Sequence, residues 1–202
     1  IETIPFLESI RQLIRELGRQ NAVCVHLALV PVIIGGELKT KPMQHSVKQL
    51  QEAGIQPDIL LCRCEQSLDE GLKKKVGLFC NVPTNSVFTS TDVEKSIYEL
   101  PVLFHKEGID SRILEKLGLS PKKCDISPWE KFLNKLKNPS KTVTIGMVGK
   151  KDYLDNCYKS VRESLFHAAV TSFGVNIKIE KIDAETLENS ESVDKYLNGL
   201  AG

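Results

Sequence analysis

The sequence predicts an α/β protein built on parallel sheet, and three features of the chain support this class. Apolar runs of strand length alternate with amphipathic stretches of helix length along the 202 residues, which is the pattern of βαβ units. Hydrophobic residues make up 41% of the chain and charged residues 26%, as in an ordinary folded domain. A net charge of +1 gives no general attraction to nucleic acid or to a membrane surface.

The first four elements follow from the spacing of apolar residues. Residues 4–17 place apolar side chains on one helical stripe and predict an amphipathic helix. The continuous apolar run at residues 21–34 predicts a strand buried on both faces of a sheet. A polar loop then leads into a helix predicted from about residue 42 to residue 53, with Gly54 in the terminating position. Residues 57–62 form the next apolar run and predict a second central strand.

The same alternation continues as far as residue 119. Residues 67–80 predict a helix that opens with a capping box between Ser67 and Glu70. A short strand is predicted at residues 86–90, and two helices are predicted at residues 100–108 and 109–119. Successive strands joined by helices indicate one parallel sheet.

The composition changes between Ser120 and Ser140, where the chain is basic and contains three prolines. This stretch holds one short amphipathic helix, around residues 129–136, and predicts a connection between two domains. A second α/β unit is predicted from residue 141, in a sheet separate from the first. Its strand, helix, strand and helix are predicted at residues 142–150, 154–174, 175–183 and 191–202.

The cysteines and histidines predict neither a metal site nor a catalytic site. Three of the six cysteines lie in apolar runs, where a reduced thiol behaves as a small hydrophobic side chain. Cys62 and Cys64 have no second pair or histidine at zinc-site spacing, and the four histidines are not spaced as ligands of one metal. The sequence therefore predicts a reduced chain in the cytoplasm, with metal binding by the cysteines as the second interpretation and no catalytic nucleophile of its own.

The loop that follows the first apolar run has the residue types of an anion site. Gly35 and Gly36 permit unusual backbone angles, Lys39 and Lys41 supply positive charge, and Pro42 suits the first turn of a helix. A helix N-terminus attracts anions, so one interpretation is a phosphate site. The other is a solvated basic loop, since no Walker phosphate-loop sequence occurs in the chain. The pattern by itself leaves both open.

Three adjacent lysines, Lys73, Lys74 and Lys75, are the second group of cations. Adjacent residues point in different directions from a helix, so most of these side chains are expected to face solvent. One of them could still reach a ligand, and the sequence pattern does not say which.

Longer stretches of the sequence resemble one known family. The segment "GGELKTKPMQHSVKQLQEAGIQPDILLCR", at residues 35–63, resembles the CTP synthase family, which shows a GE-x-KTKPTQ-[HN]-SV motif followed by a helix and a strand. The likeness continues through "KKKVGLFCNVP", "DVEKSIYELPVLFHKEGID" and "VTIGMVGK", and so extends over essentially the whole chain. Two departures stand out: Met43 occupies a position that is usually threonine, and Lys151 one that is commonly aromatic.

The resemblance implies a two-domain architecture and an activity. Residues 1–119 would be the later part of an amidoligase domain with a nucleoside-triphosphate-binding fold, and residues 120–140 a linker. Residues 141–202 would begin a flavodoxin-like class I glutamine amidotransferase domain. Members of the family use ATP to phosphorylate the 4-oxygen of UTP, and ammonia released from glutamine displaces the phosphate to give CTP. The resemblance also implies Mg²⁺ as cofactor, GTP as activator and a cytoplasmic homo-oligomer, with a tetramer expected and filaments left open.

The resemblance also assigns binding residues. Those matching the family's UTP and CTP site are Ile1, Glu2, Lys39, Thr40, Lys41, Pro42, Met43, Gln44 and Lys75. Those matching its ATP site are Thr91, Asp92 and Val93. The family's catalytic residues and magnesium ligands match no position in this chain.

Two interpretations follow for the chain as a whole. Because it opens at Ile1 directly into an amphipathic stretch, we expect an internal piece of a CTP synthase that is inactive alone. The alternative is a non-catalytic paralogue that binds pyrimidine nucleotides and acts as an assembly or regulatory partner.

Overall fold

The computed structural model describes residues 3–93, 96–121, 123–150, 157–187 and 190–202. The chain forms two compact units, which divide between Cys124 and Asp125. This division falls inside the stretch that the sequence predicts as a connection. The assignment of the two units to an amidoligase and a glutamine amidotransferase domain stays a prediction.

Unit 1, the part that ends at Cys124, alternates helices and strands as predicted. Short 3-10 turns precede the third strand and the fourth helix, at Thr84–Ser86 and Ile97–Glu99. The main elements are α1 (Ile4–Leu17), β1 (Val25–Leu29), α2 (Lys41–Glu52), β2 (Ile59–Cys64), α3 (Glu70–Cys80), β3 (Val87–Thr91), α4 (Leu100–Glu107) and α5 (Ile109–Lys116).

The three strands of unit 1 form a parallel sheet in the order β1-β2-β3. In its register, Leu27 lies opposite Leu61, and Leu61 lies opposite Phe88. The α/β class and the parallel sheet are thus confirmed. Because the strands run in the same direction, the segments that follow them all leave from one edge of the sheet, where ligands commonly bind in such folds.

Helices cover both faces of the middle strand, so β2 is central as predicted. On one face, Met43 and Val47 of α2 pack with Cys62 in a fully buried cluster that α3 completes. On the other face, Ile59 packs with Ile109 of α5 in a second buried cluster. Burial of these side chains is the main stabilising contribution to unit 1.

Strand β1 lies at an edge of this sheet, so the prediction that it is buried on both faces and central is wrong. Among the described residues β1 pairs only with β2, and Val25, Leu27 and Leu29 expose their side chains on one face. The length of the apolar run suggested a buried central strand, but only Val25–Leu29 of the run forms a strand. Its last residues instead enter a hairpin, in which Val32 pairs with Leu38.

The predicted capping box between Ser67 and Glu70 at the start of α3 is also wrong. Asp69 is the N-cap, and its carboxylate accepts a hydrogen bond of 2.8 Å from the backbone N–H of Leu72. The helix therefore begins at Glu70, which is too late for that residue to be the third helical position of a box. An aspartate cap also places negative charge at the positive end of the helix dipole.

Asp69→Ala should lower the free energy of unfolding by about 1 kcal/mol, because it removes the side-chain acceptor of a helix N-cap. Ser67→Ala is the matched control and should have almost no effect, since Ser67 is exposed and precedes the cap. Urea denaturation followed by circular dichroism measures both. A larger loss for Ser67→Ala than for Asp69→Ala would reinstate the predicted box.

Unit 2, from Asp125 to the end of the chain, contains a two-stranded parallel sheet. A π-helical turn, Ala169–Phe173, extends the second of its helices, and Lys135 Nζ donates a hydrogen bond of 2.7 Å to the carbonyl of Thr171 in that turn. The short helix of the predicted connection therefore packs within unit 2. The elements are α6 (Ser127–Lys137), β4 (Thr142–Gly149), α7 (Lys159–Ala168), β5 (Asn176–Asp183) and α8 (Ser190–Leu197).

The two sheets are separate, which confirms the prediction that β4 does not join the sheet of β2. Strand β4 also receives the last residues of the chain, since the N–H of Ala201 donates to the carbonyl of Thr144 at 2.8 Å. Gly146 leaves room for this approach, because a Cβ there would lie 2.5 Å from Leu200 Cδ1. Across the part of the chain that the structure describes, no helix has both the length and the apolar character needed to cross a membrane.

Candidate functional site

The glycine loop that follows β1 is a closed hairpin. Val32 and Leu38 form an antiparallel bridge, and the N–H of Lys39 donates to the carbonyl of Pro31 at 2.9 Å. Gly35 and Gly36 make the turn, with φ angles of 98° and 80° that favour glycine. Their first role is therefore to turn the chain, and the hairpin delivers the following lysines at a fixed position.

The hairpin leads directly into the N-terminus of α2. Thr40 is the N-cap residue and is buried, and its hydroxyl accepts a hydrogen bond of 3.1 Å from Gln44 Nε2. Lys41 is the first residue of the helix and is exposed, and Pro42 follows it. The first N–H groups of a helix have no partner within the helix, so those of the first turn, apart from Pro42, which has none, and the Lys41 ammonium offer donors to an anion.

Met43 faces away from this surface. Its side chain is fully buried, and its sulfur lies 3.9 Å from Cys62 Sγ in the core beneath α2. The residue can therefore offer a ligand only its backbone N–H at the start of the helix. A methionine at a position where the family usually has threonine thus adds apolar packing to the core of unit 1.

The three adjacent lysines of α3 have different environments. Lys73 is the most buried, and its Nζ lies 3.6 Å from Glu70 and 3.9 Å from Glu107. Lys74 and Lys75 are exposed, and Lys75 is the sixth residue of the helix. Helices α2 and α3 pack on each other, so Lys75 belongs to the element next to the one that carries Lys41.

The predicted ATP-binding residues follow β3. Thr91 ends the strand and lies opposite Cys64, the last residue of β2. Asp92 comes next, and its Oδ1 accepts a hydrogen bond of 3.0 Å from Arg63 Nε. Val93 is partly exposed beside it. This exposed ion pair lies at the carboxyl edge of the sheet.

The structure thus brings three segments to one edge of the sheet, each following a different strand. They are the hairpin with the start of α2 after β1, helix α3 after β2, and residues 91–93 after β3. The hairpin also reaches the second connection directly, because Gln66 Nε2 donates to the carbonyl of Gly36 at 2.9 Å. The predicted pyrimidine-binding residues Ile1 and Glu2 lie outside the described residues.

Three residues near this edge were not predicted from the sequence. Gln66 fastens the hairpin turn, Arg63 holds Asp92, and Glu37 contacts the ammonium of Lys39 at 3.2 Å. The Arg63–Asp92 contact could have been found, since both residues stand at the ends of neighbouring parallel strands. Glu37 and Lys39 are two positions apart, and in an extended segment such residues lie on the same side.

The charges near the hairpin suit an anion better than a metal ion. Within the described ranges, no group of three or more His, Cys, Asp or Glu side chains is arranged to hold a metal ion. In the same part of the chain no carboxylate lies within ion-pair distance of Lys41 or Lys75. The unpaired ammonium of Lys41 at the N-terminus of α2, and that of Lys75 on the neighbouring helix, therefore remain available to phosphate oxygens.

Unit 2 contains a cavity whose lining is mainly apolar, unlike the cationic surface near the hairpin. It measures about 330 Å³ and lies between the second sheet and α7, with Val143, Ile145 and Leu165 among its lining residues. Apart from Lys141 its lining is apolar, so it offers few groups that could bind a nucleotide phosphate. The hairpin in unit 1 is therefore the better candidate site.

Comparison with known proteins identifies the family. The sequence profile described as CTP synthase N-terminus matches residues 1–119, which include every predicted binding residue. The chain belongs to the CTP synthase family. The match contains the hairpin, both packed helices and all three strands of the first sheet.

Individual CTP synthases match over the whole chain, unit 2 included. The CTP synthase of Ruminiclostridium cellulolyticum is 46% identical over 100% of this chain and 38% of its own length. Those of Gloeothece citriformis and Maridesulfovibrio salexigens are 45% and 47% identical over 100% of this chain, and the matches cover 36% and 37% of their lengths. The chain thus spans between a third and two fifths of the length of these relatives.

Proposed function

We propose that this chain contributes the triphosphate-binding part of a CTP synthase. The reaction of the whole protein would be the synthesis of CTP from UTP, ATP and glutamine in pyrimidine nucleotide biosynthesis. ATP would phosphorylate the 4-oxygen of UTP, and ammonia from glutamine would replace that phosphate. The observation that carries the proposal is the cationic hairpin and helix start at the carboxyl edge of a parallel sheet, inside the matched family segment.

The proposed role of each UTP-binding residue follows from its position. Lys39 and Lys41 would contact phosphate oxygens from the hairpin and the start of α2, and Lys75 would add a third charge from α3. Each is a charge-assisted contact, which is stronger than a neutral hydrogen bond. The backbone N–H groups at the start of α2 would complete the cradle, with Thr40 and Gln44 holding each other in place. Ile1 and Glu2 would contact the pyrimidine.

The remaining assignments extend the proposal to the second nucleotide and to assembly. Thr91, Asp92 and Val93 would border the adenine of ATP, with Arg63 fixing Asp92. GTP would activate glutamine hydrolysis, whose catalytic residues match no position in this chain. The whole protein would be a cytoplasmic homo-oligomer, in keeping with the expected tetramer.

Magnesium would neutralise phosphate charge in the kinase step of such an enzyme. The described residues do not fit this ion, because none of their His, Cys, Asp and Glu side chains form a group able to hold it. The proposal therefore assigns no magnesium ligand to this chain and no step of the reaction to a metal bound here.

Binding of nucleotides to the 202-residue chain tests the proposal. Lys41→Ala should weaken UTP and CTP binding together, by about tenfold to 150-fold, since a lost charge-assisted phosphate contact costs about 1.5–3 kcal/mol. One site for both nucleotides predicts equal losses. Isothermal titration calorimetry with each nucleotide measures them.

Lys48→Ala is the matched control for this experiment. Lys48 is an exposed lysine of the same helix, away from its N-terminus, so its removal should leave both affinities nearly unchanged. If Lys41→Ala changed neither affinity, or changed only that for CTP, the single triphosphate site would be wrong.

A further inference from the structure

One of the three proposed phosphate-binding lysines already has an anionic partner. Lys39 Nζ lies 3.2 Å from Glu37 Oε1, while Lys41 and Lys75 have no carboxylate this close among the described residues. The Lys39 side chain is 45% exposed and that of Glu37 is 69% exposed, so an arriving ligand can reach both. An anion that binds to Lys39 therefore comes close to the Glu37 carboxylate.

The hairpin holds this pair in place. Glu37 accepts a backbone hydrogen bond of 3.0 Å from Ile33, and the N–H of Lys39 donates to Pro31. Between the two, Leu38 is buried with 8% of its surface exposed and anchors the strand. Glu37 and Lys39 therefore lie on the same side of a fixed segment. When Lys39 leaves the Glu37 carboxylate to contact a ligand, that carboxylate remains close to the ligand.

From this geometry we propose that Glu37 is an internal counter-ion that limits the affinity of the site for triphosphates. The inference rests on the proposed function, because it assumes that a nucleotide triphosphate binds at Lys39 and Lys41. On binding, the Lys39 ammonium exchanges the Glu37 carboxylate for a phosphate oxygen. The Glu37 charge, left without its partner, then repels the bound anion.

The repulsion between Glu37 and the bound ligand depends on the charge of the ligand and on the salt concentration. Repulsion between Glu37 and a ligand grows with the number of phosphate charges, so it acts more strongly on UTP than on UMP. Salt screens such interactions between exposed groups, so the difference between the two ligands narrows at high ionic strength. A residue with a purely structural role would produce neither dependence.

Calorimetric titration of UTP and UMP into the 202-residue chain and its Glu37→Gln variant tests the inference. The variant should bind UTP about twofold to fivefold more tightly and UMP less than about twofold more tightly, since exposed charge pairs have modest strength. Raising the salt to about 0.5 M should remove most of the gain for UTP. In a Lys39→Gln background the same substitution should give a smaller gain, because no ion pair must then break.

Glu52→Gln is the matched control, since it removes the same charge from the exposed far end of α2. It should bind UTP as the unchanged chain does. If the unchanged chain binds UTP and Glu37→Gln binds it no more tightly, the counter-ion role is wrong while the triphosphate site stands. If neither form binds UTP, the proposed function fails and this inference fails with it.

Discussion

Replacing Leu60 with alanine should lower the free energy of unfolding of unit 1 by about 2–5 kcal/mol. Leu60 lies in the central strand β2 and is fully buried in the cluster that α2 and α3 cover. Its truncation removes apolar contacts and leaves a cavity that the packed helices cannot fully close. Because a whole domain is typically stable by only 5–15 kcal/mol, this one change is a large fraction of the total.

Hydrogen exchange of the β2 amides is the appropriate measurement, since it reports on unit 1 by itself. The sole tryptophan, Trp129, lies in unit 2, so its fluorescence would follow the wrong unit. Leu78→Ala is the matched control: Leu78 is 81% exposed on α3, and its truncation should change protection by less than about 0.5 kcal/mol. Similar losses of protection in the two variants would show that β2 is not the centre of the core.

Alkylation of the thiols should divide the six cysteines by burial. Burial, with smaller contributions from the neighbouring Cys64 and Cys80, raises the pKa of the Cys62 thiol to about 12 from its usual 9. Only the thiolate reacts, so at pH 8 its population at Cys62 is about a thousandfold below that of an ordinary thiol. Cys124 and Cys157 are exposed and should react first.

Iodoacetamide labelling followed by peptide mass spectrometry measures the rate at each cysteine. As long as the pH is below the Cys62 pKa of about 12, each increase of one pH unit should speed up labelling of Cys62 about tenfold, because more of its thiol becomes ionised. In denaturant all six cysteines should react at similar rates, which is the control for intrinsic reactivity. Rapid labelling of Cys62 in the folded chain at pH 8 would mean that the core around β2 opens readily.

The order and type of the elements were determined by the local sequence. The spacing of apolar residues predicted α1 and α2 almost to the residue, because a helix needs only a periodic apolar face and suitable ends. Short apolar runs bounded by polar residues predicted β2 and β3, because a strand is also a local feature of the sequence. The candidate site was also largely local, since Lys39, Thr40 and Lys41 adjoin each other on the way into one helix.

The tertiary structure alone decided what surrounds each element. It placed β1 at an edge, because an apolar run shows how hydrophobic a segment is but not which layers cover it. It buried Met43 against Cys62, which lies 19 residues further along, and it joined Arg63 to Asp92, 29 residues further along. Such contacts depend on strand order and helix packing, which bring distant segments together, and no window of neighbouring residues contains that information. Local chemistry thus determined which groups could bind a phosphate, and packing determined which of them remain exposed to do so.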